Sequence, residues 1–119
     1  MVLAAVALVA AASAVPAGAH AVLVRSMPPS RAELHHAPGR VELWFSEALE
    51  PAWSSVSVWS AAGVRVDRQD AVVGPDDPKR LSVTLPAIEA GTYTVRFRVL
   101  SVDAHVVEAS FPFTLKPRR

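Results

Sequence analysis

The sequence predicts an all-β domain: a seven-stranded antiparallel Greek-key sandwich or barrel of the immunoglobulin-like or cupredoxin-like kind. Apolar residues occupy every second position over several short segments, and this period of two is that of a half-buried strand. Residues typical of turns separate these segments about every 8 to 12 residues. Helical signals are limited to a turn or two near residues 50–54. These three observations favour a small sandwich or barrel.

Six of the about seven expected strands can be placed in chain order. The first is AVLVRS, and the second is RVELWFSE, in which Val41, Leu43 and Phe45 share one face. The next two are SSVSVWS and RLSVTL, and the last two are GTYTVRFRV and SFPFTL, each with apolar residues at every second position. Turns are expected at Pro38-Gly39, Gly63, Gly74-Pro75 and Gly91, because glycine and proline break regular structure.

The first 19 residues predict a cleaved secretory signal. They contain no charged side chain, and Ala17-Gly18-Ala19 supplies the A-x-A pattern before a signal peptidase cut. We expect residues 20–119 to form one exported domain, periplasmic or extracellular. The alternative, a membrane anchor, is disfavoured because the apolar run is shorter than the roughly 20 residues of a spanning helix.

The charge pattern gives no sign of a nucleic-acid partner. The formal net charge of the 119-residue chain is +1, and its lysines and arginines are scattered rather than clustered. The chain has no cysteine, so its core must hold the fold without disulfides. We expect a monomer.

Metal-binding chemistry is concentrated at two distant points. A cut after Ala19 makes His20 the first residue, with a free α-amine beside its imidazole. In LSVDAHVVE, Asp103 and His105 stand at i and i+2, and they share a face if that segment is extended. Three nitrogens and one carboxylate oxygen suit tetragonal Cu(II) better than tetrahedral zinc or Cu(I).

With these motifs the sequence resembles the bacterial CopC copper-resistance family. The resemblance rests on HAVLVRSMPP, VELWFSEALEP and GTYTVRFRVLSVDAHVVEASFPFTL, which follow the order of the family's motifs. It implies a seven-stranded Greek-key barrel and one Cu(II) ion bound by His20, Asp103 and His105. Glu47 resembles a carboxylate that hydrogen-bonds to the site; an ordinary surface carboxylate is the equal alternative.

The chain departs from the family pattern in two respects. Ala104 stands where the family usually has glycine, so either the backbone there needs no positive φ or the turn is altered. Met27 is the only methionine beyond Met1, so no Cu(I) methionine site is expected. His35 and His36 are expected to be a solvated pair before a turn.

The expected function is that of a copper carrier or buffer, not an enzyme. The resemblance implies a CopD-like membrane transporter as its partner. One alternative is a copper-dependent oxidative enzyme, since a first-residue histidine with a second histidine is also the brace of lytic polysaccharide monooxygenases. Another is an immunoglobulin-like module without metal.

Overall fold

The computed structural model describes residues 21–118, which form two four-stranded β-sheets packed face to face. The eight strands are β1 (Leu23–Met27), β2 (Glu33–Leu34), β3 (Arg40–Phe45), β4 (Ser55–Ser60), β5 (Val72–Val73), β6 (Arg80–Thr84), β7 (Gly91–Leu100) and β8 (Val106–Leu115). The helical signal near residue 50 corresponds to one 3-10 turn, Pro51–Trp53. Within residues 21–118 no helix is long and apolar enough to cross a membrane.

The strand order confirms the all-β class and corrects two details. One sheet has the order β1-β3-β6-β5 and the other β2-β8-β7-β4. Eight strands form where about seven were expected. The six segments identified in the sequence correspond to β1, β3, β4, β6, β7 and β8, whereas β2 and β5 have two residues each and are too short to show an alternation. The pairing of β2 with β8 is parallel, whereas every other strand pair is antiparallel as predicted.

The alternation of the long strands builds the core between the two sheets. In β3, Val41, Leu43 and Phe45 are buried, while the residues between them are half-exposed. Phe45 meets Phe97 of the opposite sheet in an edge-to-face contact with ring centroids 5.3 Å apart. Such contacts hold the sheets together because aromatic rings bury much apolar area in a defined geometry.

The candidate site lies at the end of the sandwich where β7 turns into β8. The loop after β3 packs against this turn: Leu49 forms a bridge with Ser101, and the Val102 amide donates to the Ala48 carbonyl at 3.1 Å. The loop therefore ties the first sheet to the β7–β8 turn.

Candidate metal centre

The amino-terminal arm is attached to the end of β3 by a reciprocal pair of hydrogen bonds. The Val22 amide donates to Ser46 Oγ at 2.9 Å, and the Ser46 amide donates to the Val22 carbonyl at 2.9 Å. Ala21 is fully buried in the core. His20 lies outside the described residues, but Val22, two residues further on, is bonded to Ser46 at the start of the loop that contacts the β7–β8 turn.

The residues of the D-x-H motif lie in a tight turn rather than on an extended strand. The Ser101 amide donates to the His105 carbonyl at 3.0 Å, and the Ala104 amide donates to the Ser101 carbonyl at 2.8 Å. The segment is therefore not extended, and the two residues do not share a strand face. Asp103 and His105 nevertheless come together, because the turn folds one residue back over the other.

Ala104 has a φ of +73°, which answers the question raised by the missing glycine. The backbone does need the left-handed conformation, which glycine adopts without steric cost and alanine adopts with some strain. The turn keeps this conformation because hydrogen bonds fix it on both sides of Ala104.

Asp103 and His105 offer two donor atoms at a spacing that suits one metal ion. His105 Nδ1 lies 3.3 Å from Asp103 Oδ1, and both side chains are about two-fifths exposed. Two ligand atoms each about 2.1 Å from an ion are about 3.0 Å apart at a right angle and about 3.4 Å apart at a tetrahedral angle. The observed separation falls between these values, so one ion can contact both atoms with little rearrangement.

The electrostatics of the turn keep the Asp103 carboxylate ionised. The hydrogen bond from the Ser101 hydroxyl is the main cause that lowers the pKa of Asp103, and the contact with His105 lowers it further. A carboxylate must be deprotonated to bind a metal, so Asp103 is ready to act as a ligand at neutral pH.

The described residues supply only part of the predicted ligand set. Among residues 21–118 no group of three or more His, Cys, Asp and Glu side chains is suitable for holding a metal ion. Asp103 and His105 are thus two candidate ligands within residues 21–118, and the contribution of His20 stays a prediction.

Glu47 is half-buried and lies between two residues whose backbones contact the site segments. No hydrogen bond or ion pair joins its side chain to another residue of 21–118, so its role in the site stays a prediction. His35 and His36 are both exposed and lie just before β3, at the end of that strand remote from the β7–β8 turn.

Sequence reasoning gave no role to two serines that the structure connects to the site. Ser46 holds the amino-terminal arm, and the Ser101 hydroxyl donates to Asp103. Ser46 lies in the segment VELWFSEALEP and Ser101 in the segment LSVDAHVVE. A serine two residues before an aspartate in a turn is a recognisable signal, because short polar side chains often hydrogen-bond to nearby residues there.

Comparison with known families gives a match over almost all of the described chain. Residues 23–116 match the family model of the CopC domain. The sequence is 37% identical over 107 residues to the Copper resistance protein C of Pseudomonas syringae pv. tomato, covering 84% of this chain and 83% of that protein. It is also 31% identical over 98 residues to the Copper transport protein CutJ of Bacillus subtilis. That alignment covers 82% of this chain but only 18% of CutJ, so the matched segment is a small part of a much longer protein.

A solved structure agrees with the match in sequence. The crystal structure of CopC from Methylosinus trichosporium OB3b superposes with a TM-score of 0.78 at 36% identity. The superposition covers 84% of this chain and 97% of that one. The two-sheet architecture is therefore shared over nearly the whole of the Methylosinus protein.

Proposed function

The chain belongs to the CopC family of copper resistance proteins, and from this membership we propose that it is an exported Cu(II) carrier or buffer. Proteins of this family bind or carry copper and are not enzymes. We add to this the number of ions, the oxidation state and the ligands: a single Cu(II) ion bound by the amine and imidazole of His20, by Asp103 and by His105.

The observation that carries this ligand set is the pairing of Asp103 with His105 at 3.3 Å in the turn between β7 and β8. The hydrogen bonds of Val22 with Ser46 add support, because they hold the chain next to His20 at the same end of the sandwich. Two separate parts of the chain thus approach one place, as a shared ion requires.

The donor types support Cu(II) over Cu(I). Imidazole, amine and carboxylate groups suit the oxidised ion, whereas Cu(I) prefers the soft sulfur of methionine or cysteine. The chain has no cysteine, and Met27 ends β1 opposite Glu42, several residues along the strand from the site. Glu47 is proposed as a neighbouring carboxylate that hydrogen-bonds to the loaded site without binding the ion.

The cellular setting follows from the proposed processing. The leader directs export, and cleavage after Ala19 then releases residues 20–119 and creates the α-amine of His20, so the complete site forms only after export. The carrier is proposed to act as a monomer and to exchange copper with a CopD-like membrane protein.

The proposal is tested by moving the amine away from the histidine. One glycine added before His20 in the processed protein is expected to weaken Cu(II) binding about 100-fold or more, because a ligand is lost and the chelate is broken. Unchanged affinity in a competition titration would exclude the amine as a ligand.

A second variant tests the other half of the site. His105→Ala is expected to change the Cu(II) electron paramagnetic resonance spectrum, because one nitrogen is lost. His36→Ala is the matched control: it removes an exposed histidine outside the site and is expected to leave the spectrum unchanged. Peroxide production with ascorbate distinguishes the carrier from the oxidative enzyme, and sustained turnover would favour the enzyme.

A further inference from the structure

We infer that Ser101 is a positioning residue for the copper site, whose buried hydroxyl sets the relative placement of the two ligands of the β7–β8 turn. This inference rests on the proposed function, since it concerns how Asp103 and His105 are held for the ion. Ser101 is not itself proposed as a ligand.

The Ser101 hydroxyl contacts the carboxylate of Asp103 and the backbone of His105. It donates to Asp103 Oδ1, and it lies 3.3 Å from the His105 amide nitrogen, which donates to it. A hydroxyl has one proton to donate and two lone pairs that accept. Its proton goes to the Asp103 carboxylate, which is closer than the other available acceptor, the His105 carbonyl at 3.3 Å. A lone pair accepts from the His105 amide, so the hydroxyl both donates and accepts within the turn.

Ser101 itself is held rigidly. It has no solvent exposure, it forms the bridge with Leu49, and its amide donates to the His105 carbonyl at 3.0 Å. The two candidate ligand side chains, by contrast, are about two-fifths exposed. A buried group fixed by the backbone thus restrains the Asp103 side chain directly and the His105 backbone from which the imidazole projects.

The carboxylate is oriented through one of its two oxygens. Asp103 Oδ1 accepts from the Ser101 hydroxyl and lies 3.3 Å from His105 Nδ1. With this oxygen fixed between the serine and the imidazole, the carboxylate cannot rotate freely. Partners of this kind around a metal site orient its ligands, and their loss typically lowers metal affinity by about 10- to 100-fold.

The test replaces Ser101 with alanine, which removes the hydroxyl and leaves only a small gap. We expect Cu(II) affinity to fall about 10-fold or more and the electron paramagnetic resonance spectrum to change. Ser101→Thr keeps the hydroxyl and is expected to restore both. Melting temperatures of the copper-free proteins establish that each variant is folded.

Ser54→Ala is the matched control. Ser54 is also a buried serine. Its hydroxyl accepts from the amide of Leu100, the residue before Ser101, at 3.1 Å. It contacts backbone atoms of the same hairpin but neither candidate ligand. We expect this variant to lose stability without losing copper affinity; an equal loss in both variants would show general loosening and overturn the inference.

A double-mutant cycle separates the inference from the proposed function. If Ser101 acts through Asp103, Ser101→Ala should weaken binding much less in a protein that already carries Asp103→Ala. Wild-type affinity in Ser101→Ala, with Asp103→Ala impaired, would refute the positioning role and leave the copper site standing. Wild-type affinity in both Asp103→Ala and His105→Ala would refute the site itself. A folded Ser101→Thr protein as impaired as the alanine variant would also count against the hydroxyl.

Discussion

Asp67 is a buried carboxylate on which the stability of the sandwich depends, and its removal has a calculable cost. Its side chain is fully enclosed and accepts from the Val58 and Gln69 amides at 2.8 Å each and from Arg65 through two nitrogens at 2.9 and 3.1 Å. In Asp67→Ala the buried Val58 amide loses its partner, which costs about 1–3 kcal/mol. Breaking the charged pair with Arg65 brings the expected total to about 3 kcal/mol.

The assay is thermal and urea unfolding of the copper-free protein. For a domain of this size 1 kcal/mol corresponds to about 4–8 °C, so we expect Asp67→Ala to melt at least about 12 °C below the wild type. Asp70→Asn is the control, because Asp70 also bonds a backbone amide, that of Thr84, but stands exposed. A fall of only a few degrees in Asp67→Ala would refute the reasoning.

The same carboxylate predicts a pH dependence of stability. Burial raises the pKa of Asp67, but the hydrogen bonds from Arg65, Val58 and Gln69 outweigh it, so the pKa lies below its ordinary value of 3.8. A carboxylate with a lowered folded-state pKa stabilises the fold above the unfolded-state pKa and loses this effect as the pH falls through the folded-state value. Acid unfolding below about pH 4 should therefore be shallower in Asp67→Ala than in the wild type.

Two backbone predictions follow from local geometry. Ala104→Gly removes a left-handed strain of about 1–2 kcal/mol, partly offset by the greater freedom of unfolded glycine, and should raise the unfolding free energy by about 0.5–1 kcal/mol; a loss of stability would contradict the φ of +73°. Gly74→Ala would bring a Cβ to 2.8 Å from Arg80 Nη2 and 3.0 Å from the Asp77 carbonyl, and should cost about 1–2 kcal/mol. Gly39→Ala, whose Cβ would meet nothing within 4 Å, is the control and should melt close to the wild type.

The long strands could be predicted because each carries a buried face. In β7, exposed residues alternate with the buried Val95, Phe97 and Val99, and the amino-acid sequence alone shows this alternation. The first half of β8 gave no such signal, because residues 106–110 are exposed or half-exposed on both faces. Their strand conformation comes from pairing with β7, which is a long-range interaction that local period does not show.

The candidate site could be predicted only in part from the sequence, for a similar reason. The residue types and spacing of Asp103 and His105 were visible, but the turn that joins them depends on a left-handed alanine, which is uncommon for a residue other than glycine. The role of Ser101 depends on its burial, and its burial depends on Leu49, which is distant in sequence. Tertiary packing decides both features.

The separation of the candidate site from the core bears on how a carrier works. None of the 18 buried hydrophobic residues of the core within residues 21–118 is a proposed ligand, and the proposed ligands Asp103 and His105 are partly exposed. The fold is therefore expected to form without copper, unlike small domains that fold only around a metal. Copper at 100 times its dissociation constant would add about 2.7 kcal/mol of stability. The domain would stay folded when it releases copper, so it could bind copper again without refolding.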